Sequence, residues 1–556
     1  MLRSFLLRGT QSRRCGLYVV YTVGAWLGVY AHLNMETTHI EKNPAAQSRT
    51  SEFMAASLWP TGVSSPYWPA SWAWLLGLLA AATLLRVKAL NQQLWFDEIV
   101  TLLDSARDPI LRIMTHYGGQ NQHMLYSILA HCSIRIFGEQ PWALRVPAVA
   151  FGAAGVPVLY LFGGLVTCKR EALFAAALMA INYQHIWFSQ NARGYTGMVF
   201  WTLMASIFFI RCATHARRSD CAMYGVSAAL GVYTHLMMAC VIVAHAILYA
   251  WLIWSRARSG SRLPRNSFLL LYALLLAGIV SFLLYAPVIP GIFARTIGVV
   301  GKSVRAEWAS PVWAAKEMVR GLSNGAAGGL VAVAVGGLLF LGGLVSFWRS
   351  NRFVVGLMLL PGLVTVAVLL ATSHNFWPRF FFFEIGFAFL LLVRGIVVWT
   401  DLAARLLGRR ERLAFPLSTA VWLVMMFASV PPLRAAYRYP KQDYLSAMRF
   451  VEDQQRGKEQ VVTVGVVTTA FQRYYGRSWA SVETPAQLDA VLSHGHGTWL
   501  IYAMPISIRA NQPGLWDAIQ TRFTTVRVFP GTLSGGEIFV CKSVDERNRP
   551  TLQDQT

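Results

Sequence analysis

Four short segments of this 556-residue chain concentrate groups able to do acid–base and anion chemistry. The first, LNQQLWFDEIVTLLD, sets Asp97 and Glu98 among Trp95, Phe96 and Ile99. A carboxylate at an apolar boundary is partly desolvated, which tunes it toward a base. An ordinary helix start, where acids offset the dipole, accounts for the same pattern equally well. The second, HIWFSQNARGYTG, packs His185, Gln190, Asn191, Arg193 and Tyr195 into a short turn. The planar fork of Arg193 suits a phosphate, although arginine and aromatic residues also anchor helices at headgroup depth. The third, HNFWPRFFFFE, holds His374, Arg379 and Glu384 around Pro378. An ionisable residue such as Glu384 inside an apolar run is a functional candidate by default, with pairing to a buried arginine as the alternative. The fourth, GGQNQHMLYSILAH, offers Gln120, Asn121, His123 and Tyr126. Single histidines are more often structural than ligating, and His123 carries that alternative.

The elements that must position these groups are membrane helices. The chain is 55% hydrophobic and only 13% charged, whereas soluble domains carry about 25% charged residues. Runs near the roughly 20 residues needed to span a bilayer fall at 71–87, 142–166, 171–187, 196–211, 222–235, 237–254, 267–288, 328–347, 353–371, 380–399 and 414–431. The sequence therefore predicts a polytopic α-helical membrane protein with about eleven core spans. The segment 124–138 contains His131 and Arg135 and reads as an interfacial helix. The net charge of +23 would suggest nucleic acid in a soluble protein. Here the cations cluster between spans, at Lys169-Arg170, Arg217-Arg218, Arg256/Arg258/Arg262/Arg265, Arg349/Arg352 and Arg405/Arg409/Arg410/Arg412. That alternation is the positive-inside pattern and predicts no nucleic-acid partner.

The opposite, extracytoplasmic face then receives the loop 88–141, the turns 188–195 and 372–379, the loop 289–327 and the C-terminal tail. The loop 289–327 is cationic and amphipathic, suited to lie on anionic headgroups. Three organisational units are expected: an N-terminal segment 1–69 with a doubtful anchor at 15–33 and a polar linker, a membrane core 70–431, and a soluble α/β domain 432–556. In the last, VVTVGVV, TWLIYAMP, TVRVFP and EIFVCKSV read as strands, and a capping-box-like Ser481–Glu483 region opens a helix. Seven cysteines without a CxxC pair indicate neither a disulfide framework nor a zinc site.

All four chemical segments therefore share one face. A carboxylate base facing phosphate-binding cations suits sugar transfer from a phosphate-linked lipid: the base takes the acceptor proton and the cations stabilise the departing phosphate. The residues also carry a resemblance. WFDE after the first core span resembles the Asp-Glu motif of GT-C membrane glycosyltransferases. FGEQPWALRVPAVAFG followed by WFSQNARGYTG, and the later WPRFFFF, resemble the branch that contains protein mannosyltransferases, aminoarabinose transferases and lipopolysaccharide galacturonosyltransferases.

The resemblance spans most of 71–400, with motif order and spacing most specific over 95–200. It implies a polyprenyl-phosphate sugar donor, a lipid, glycan or protein acceptor outside the cell inner (plasma) membrane, and inversion at the sugar. Asp97 would be the catalytic base with Glu98 beside it. Arg193 and Arg379 would bind the donor phosphate, and His123, Tyr126, Gln190, Asn191, Tyr195 and His374 would line the substrate site. Relatives often read His-Pro-Pro-Leu-Tyr where this chain has His123-Met124-Leu125-Tyr126, a departure that bears on substrate choice. The turn 188–195 lacks a second acid, so a two-carboxylate mechanism is not implied. Asp97, Glu98 and nearby histidines are candidate ligands for a divalent metal, though their spacing matches no metal motif. A polyprenyl-linked glycan flippase is the alternative function. Polar groups confined to one face argue against it, because transporter sites lie near the midplane. A non-catalytic scaffold whose C-terminal domain binds a partner is a third reading.

Overall fold

The computed structural model describes residues 72–119, 121–215, 217–260, 265–296, 306–324, 329–494 and 497–544. The expected N-terminal segment 1–69 lies outside the described residues, as does Gln120. A helix occupies each of the eleven expected spans. In chain order these are α1 (Trp72–Val87), then α2 (Phe96–Thr101) and α3 (Met124–Phe137) outside the spans, then α4 (Pro141–Val166) and α5 (Lys169–Ile181). The short α6 (Tyr183–Ser189) leads into α7 (Tyr195–His215), α8 (Arg218–Thr234), α9 (Met238–Arg258) and α10 (Arg265–Tyr285). Then come α11 (Gly329–Ser350), α12 (Arg352–Ala371), α13 (Ile385–Leu406) and α14 (Arg410–Ala428). Eight described helical stretches are long and apolar enough to cross a membrane. At the other three expected positions α1, α5 and α8 are shorter, with 16, 13 and 17 residues.

Packing within the bundle follows side-chain size. The α11–α13 contact brings backbones together: a Cβ on Gly343 would lie 1.9 Å from the Leu391 carbonyl oxygen, and one on Gly395 would lie 1.8 Å from that of Leu339. Small residues permit such approach between helices, where lipid supplies no hydrophobic drive for association. By contrast α10 turns Phe268, Tyr272, Ile279 and Phe282 outward, as suits a helix solvated by lipid. Cys212 at the end of α7 and Cys221 in α8 form a disulfide, a pairing made by the antiparallel helical hairpin rather than by a sequence motif.

Beyond α15 (Val430–Arg438) and α16 (Tyr444–Gln454) lies a five-stranded mixed sheet. Its strands are β1 (Gln460–Val464), β2 (Ala480–Ser481), β3 (Thr498–Ala503), β4 (Phe523–Phe529) and β5 (Ile538–Ser543), in the order β2-β1-β3-β5-β4. β3 pairs parallel to β1 and antiparallel to β5. It is buried along its whole length, as a central strand covered on both faces should be. The run VVTVGVV does not continue as one strand. Gly465 takes φ +71° and turns the chain into a helix at Val466–Thr469. The capping box falls at Thr484 and Gln487 rather than at Ser481–Glu483, directly before Pro485 at the first helical position.

The sheet alternates its side chains between two cores. Leu500, Tyr502 and Cys541 pack with Leu488, Leu515 and Ile519. Trp499, Ile501 and Val540 join Tyr444, Val451 and Phe471 in a cluster that continues into Ile99, Leu102, Tyr126 and Leu144. The sheet domain and the segment after α1 therefore share one apolar core. α3 lies in this core through Tyr126, Ala130 and Ile134. In the segment before Pro378, Phe376 donates its backbone N–H to the Trp308 carbonyl at 2.7 Å, and Trp377 packs on Trp308 and Trp313.

Candidate active site

The short helix α2 starts where Trp95, in extended conformation, is reached by the Glu98 side chain, so Asp97 and Glu98 occupy its first turn. A π-helical turn, Leu102–Ala106, follows immediately; such turns recur at functional sites. Neighbours on a helix point in different directions, and the two acids separate accordingly.

Asp97 Oδ2 forms an ion pair with Arg193 Nη1 at 2.8 Å, and 11% of the Asp97 side chain stays accessible. The same guanidinium donates to His123 Nε2 at 2.9 Å and to Asn121 Oδ1 at 3.2 Å. Because arginine only donates, His123 Nε2 must accept, which requires a neutral ring with its proton on Nδ1. Burial pushes the His123 pKa well below the usual histidine range, and Arg193, His235 and Arg379 push it further. A backbone hydrogen bond with Thr234 opposes them. The His123, Tyr195 and His235 rings enclose one another at centroid distances of 4.6 to 5.4 Å. Phe188 continues this wall to Phe382.

Glu98 is fully buried and has both oxygens engaged. Arg145 donates Nε to Oε1 at 2.7 Å and Nη2 to Oε2 at 2.5 Å. The Ala192 backbone N–H adds a bond to Oε1 at 2.7 Å. Burial opposes the charge on Glu98, yet Arg145 and Lys441 outweigh it and hold the carboxyl below its usual range. The remaining Arg145 donors bond the Leu90, Gln92 and Gln93 carbonyls. Glu98, expected to act beside Asp97, is a doubly engaged, inaccessible carboxylate that ties α4 to the segment before α2.

Tyr126 and Gln190, expected to line the substrate site, have polar groups engaged within the protein. The Tyr126 hydroxyl donates to the Leu144 carbonyl at 2.7 Å within the buried core. Gln190 Nε2 spends its donors on the Arg86 and Lys88 carbonyls. Asn191 Oδ1 receives the Trp95 indole at 3.1 Å, while its buried Nδ2 has no hydrogen-bond partner among the described residues. Tyr195 lies 5.7 Å below the Arg193 guanidinium. His374 occupies the turn after α12, its backbone N–H bonded to Leu369.

Arg379 differs from Arg193. Its guanidinium lies 5.1 Å from the Trp377 ring, and its buried Nε has no hydrogen-bond partner among the described residues. It is close enough to His123 to perturb its charge. Arg193 is thus committed to internal partners, whereas Arg379 retains donor capacity. Glu384, behind the aromatic run, abuts Gly362 of α12, and its Oε1 has no hydrogen-bond partner among the described residues.

Several residues were missed by the sequence reading. Arg145 lay inside a recognised motif but read as part of a span. His235 falls at the α8–α9 turn, where the sidedness of the spans alone could have flagged it. Arg86 ends α1 fully buried and donates to the Met179 and Ala180 carbonyls at the end of α5, and its Nη2 lies 2.6 Å from His185 Nδ1. This caps the negative end of that helix. Lys441 reaches the site from far along the chain, and no local signal marks it. Among the described residues no group of three or more His, Cys, Asp and Glu side chains could hold a metal ion.

Against known proteins, the family model described as dolichyl-phosphate-mannose-protein mannosyltransferase matches residues 122–286. No curated protein matches the chain. Among solved structures, ArnT from Cupriavidus metallidurans in the apo state aligns at TM-score 0.44 and 11% identity, covering 86% of this chain and 100% of that one. The archaeal oligosaccharyltransferase AglB from Archaeoglobus fulgidus, in complex with an inhibitory peptide and a dolichol-phosphate, aligns at 0.45 and 13%, covering 87% and 76%. Arabinosyltransferase EmbB from Mycobacterium smegmatis aligns at 0.41 and 12%, covering 68% and 42%.

Proposed function

We propose that this chain is a GT-C membrane glycosyltransferase that moves a sugar from a polyprenyl-phosphate carrier to an acceptor hydroxyl outside the cytoplasmic membrane, a reading supported by the family match over residues 122–286. The observation that carries the reading is the partly accessible Asp97 held by Arg193, with Arg379 close to the same His123. Asp97 accepts the proton of the acceptor hydroxyl as its oxygen bonds to the anomeric carbon. The bond from that carbon to the phosphate oxygen breaks, and the phosphate keeps the electron pair. Attack opposite the leaving group inverts the sugar. General-base action of this kind contributes about 10²- to 10⁴-fold.

Roles follow from hydrogen-bonding capacity. Arg193 fixes Asp97 in place, since its donors already meet Asp97, Asn121 and His123. Arg379, with an uncommitted Nε, takes the phosphate and stabilises the charge that gathers on it. His123, kept neutral, buttresses Arg193 without competing for its charge. The cation-rich loops support a site and sheet domain on the extracytoplasmic side of the inner membrane. The acceptor is a lipid, glycan or protein that reaches that surface.

The test compares envelope lipids and glycans by mass spectrometry in cells carrying the natural gene, Asp97→Asn, or none. Loss of one sugar modification in both altered strains supports the reading and identifies donor and acceptor together. Full modification by a normally inserted Asp97→Asn protein removes Asp97 as the base.

A further inference from the structure

The segment that leads into the sheet domain does more than connect it. Between α15 and α16, Lys441 and Gln442 leave the surface: they are 5% and 0% exposed. Lys441 Nζ donates to the Gln190 carbonyl at 2.5 Å and lies 5.1 Å from the Trp187 ring. Gln442 Oε1 accepts the Phe96 backbone N–H at 2.9 Å and the Tyr444 hydroxyl at 3.0 Å. Next to them, Gln93 Nε2 donates to Asp443 Oδ1 at 2.7 Å, and Gln93 Oε1 accepts from the Leu445 N–H at 2.9 Å. Gln92 bonds the Tyr437 carbonyl.

These contacts land in two places. One is Phe96, the residue before Asp97. The other is Gln190, in the turn that delivers Arg193. A tether needs neither contact, and a buried ammonium is costly to keep. Burial and the neighbouring Arg145 push the Lys441 amine down to about 7, with Glu98 opposing them. A solvated lysine in an ordinary linker would avoid that cost.

We propose that Lys441 and Gln442 are positioning residues: this strap clamps the Asp97 segment and the Arg193 turn into the mutual geometry that transfer requires. The proposal rests on the reading of Asp97 as base. It assigns the C-terminal domain a part in the chemistry rather than in partner binding alone. Misplacing a reacting group by about 1 Å costs on the order of 10²-fold in rate.

The experiment uses the full chain in nanodiscs, with Lys441→Met and Gln442→Met as near-isosteric variants and Tyr444→Phe as a milder one. Arg473→Ala is the control. It cuts a different docking contact, the exposed Arg473–Asp104 pair at 2.6 Å. Three readouts are taken: hydrogen exchange over 94–106 and 189–195, affinity for undecaprenyl phosphate as probe, and product formed in cells per folded molecule.

Both strap variants are expected to exchange faster in those two segments only. They should bind the probe within about twofold of the natural protein and form about 10- to 100-fold less product. Tyr444→Phe should show a smaller change in the same direction, whereas Arg473→Ala should alter exchange only around Asp104 and leave product unchanged. If Lys441→Met does not fold, Gln442→Met and Tyr444→Phe carry the test. Unchanged exchange in 94–106 with unchanged product overturns the proposal, as does an equal effect from Arg473→Ala. An active Asp97→Asn enzyme would sink the base assignment instead, and the exchange readout would still report whether the strap holds the segment.

Discussion

The pocket around Asp97 and the clasp around Glu98 are one residue apart in sequence and opposite in character. Each pairs an acid with an arginine from another helix or turn. In the clasp, Arg145 meets Glu98 through two parallel bonds and fills its other donors with backbone carbonyls. In the pocket, a single bond joins Asp97 to Arg193, and part of the carboxylate stays accessible. The completed pair makes structure, while the incomplete one retains capacity for a substrate. A carboxylate beside an arginine is therefore not evidence of chemistry until the remaining lone pairs are counted.

The largest effect that would break this contrast is expected at Asp97. Asp97→Asn should lower transfer about 10²- to 10⁴-fold with little change in thermal unfolding. Glu98→Gln, measured the same way, should lower stability before it lowers turnover per folded molecule. Arg145→Leu should be the more severe disruption of the clasp, costing about 3–5 kcal/mol because it strands a buried charge. Replacing both partners, as Glu98→Leu with Arg145→Met, should recover part of that loss, and a denaturation series checks it. A double replacement no more stable than either single one would mean the clasp has a role beyond satisfying itself.

Arg379→Ala should weaken donor binding by about 1.5–3 kcal/mol, the range for hydrogen bonds to charged groups. Titration with undecaprenyl phosphate measures it, and unchanged affinity would return the phosphate to Arg193. The smallest effect is in pH. The His123 pKa is lowered in the fold, so below about pH 6.5 the unfolded chain binds a proton that the native state refuses. His123 should then contribute a fall in stability of about 1.4 kcal/mol per pH unit on acidification through that window. His123→Asn should flatten that slope in melts between pH 7 and 5.

Much of the membrane architecture was legible because span length and cation placement are local properties. Every expected span position holds a helix. Asp97, Arg193 and Arg379 could be placed on one face by sidedness alone. What could not be read were partnerships across long separations: nothing near Arg145 announces Glu98, and nothing near Lys441 announces Gln190. The internal partners of Tyr126 and Gln190 were hidden for a related reason. Both are polar residues in a motif-rich segment, but backbone carbonyls brought up by tertiary packing take up their hydrogen bonds. The sheet was legible as alternating strands and helices, whereas its junction with the loop depended on which face of each strand met Ile99 and Leu102.

The Phe96–Gln442 bond closes over 346 residues, and that distance has a meaning in time. A ribosome adding 5–20 residues per second needs on the order of 20–70 s to travel from the first partner to the second. Throughout that interval the bundle can insert and the Asp97 segment can take its place, but its strap does not yet exist. A chain truncated before residue 440 would therefore be a well-inserted protein with an unfinished site. Synthesis itself would withhold activity until the final domain has docked.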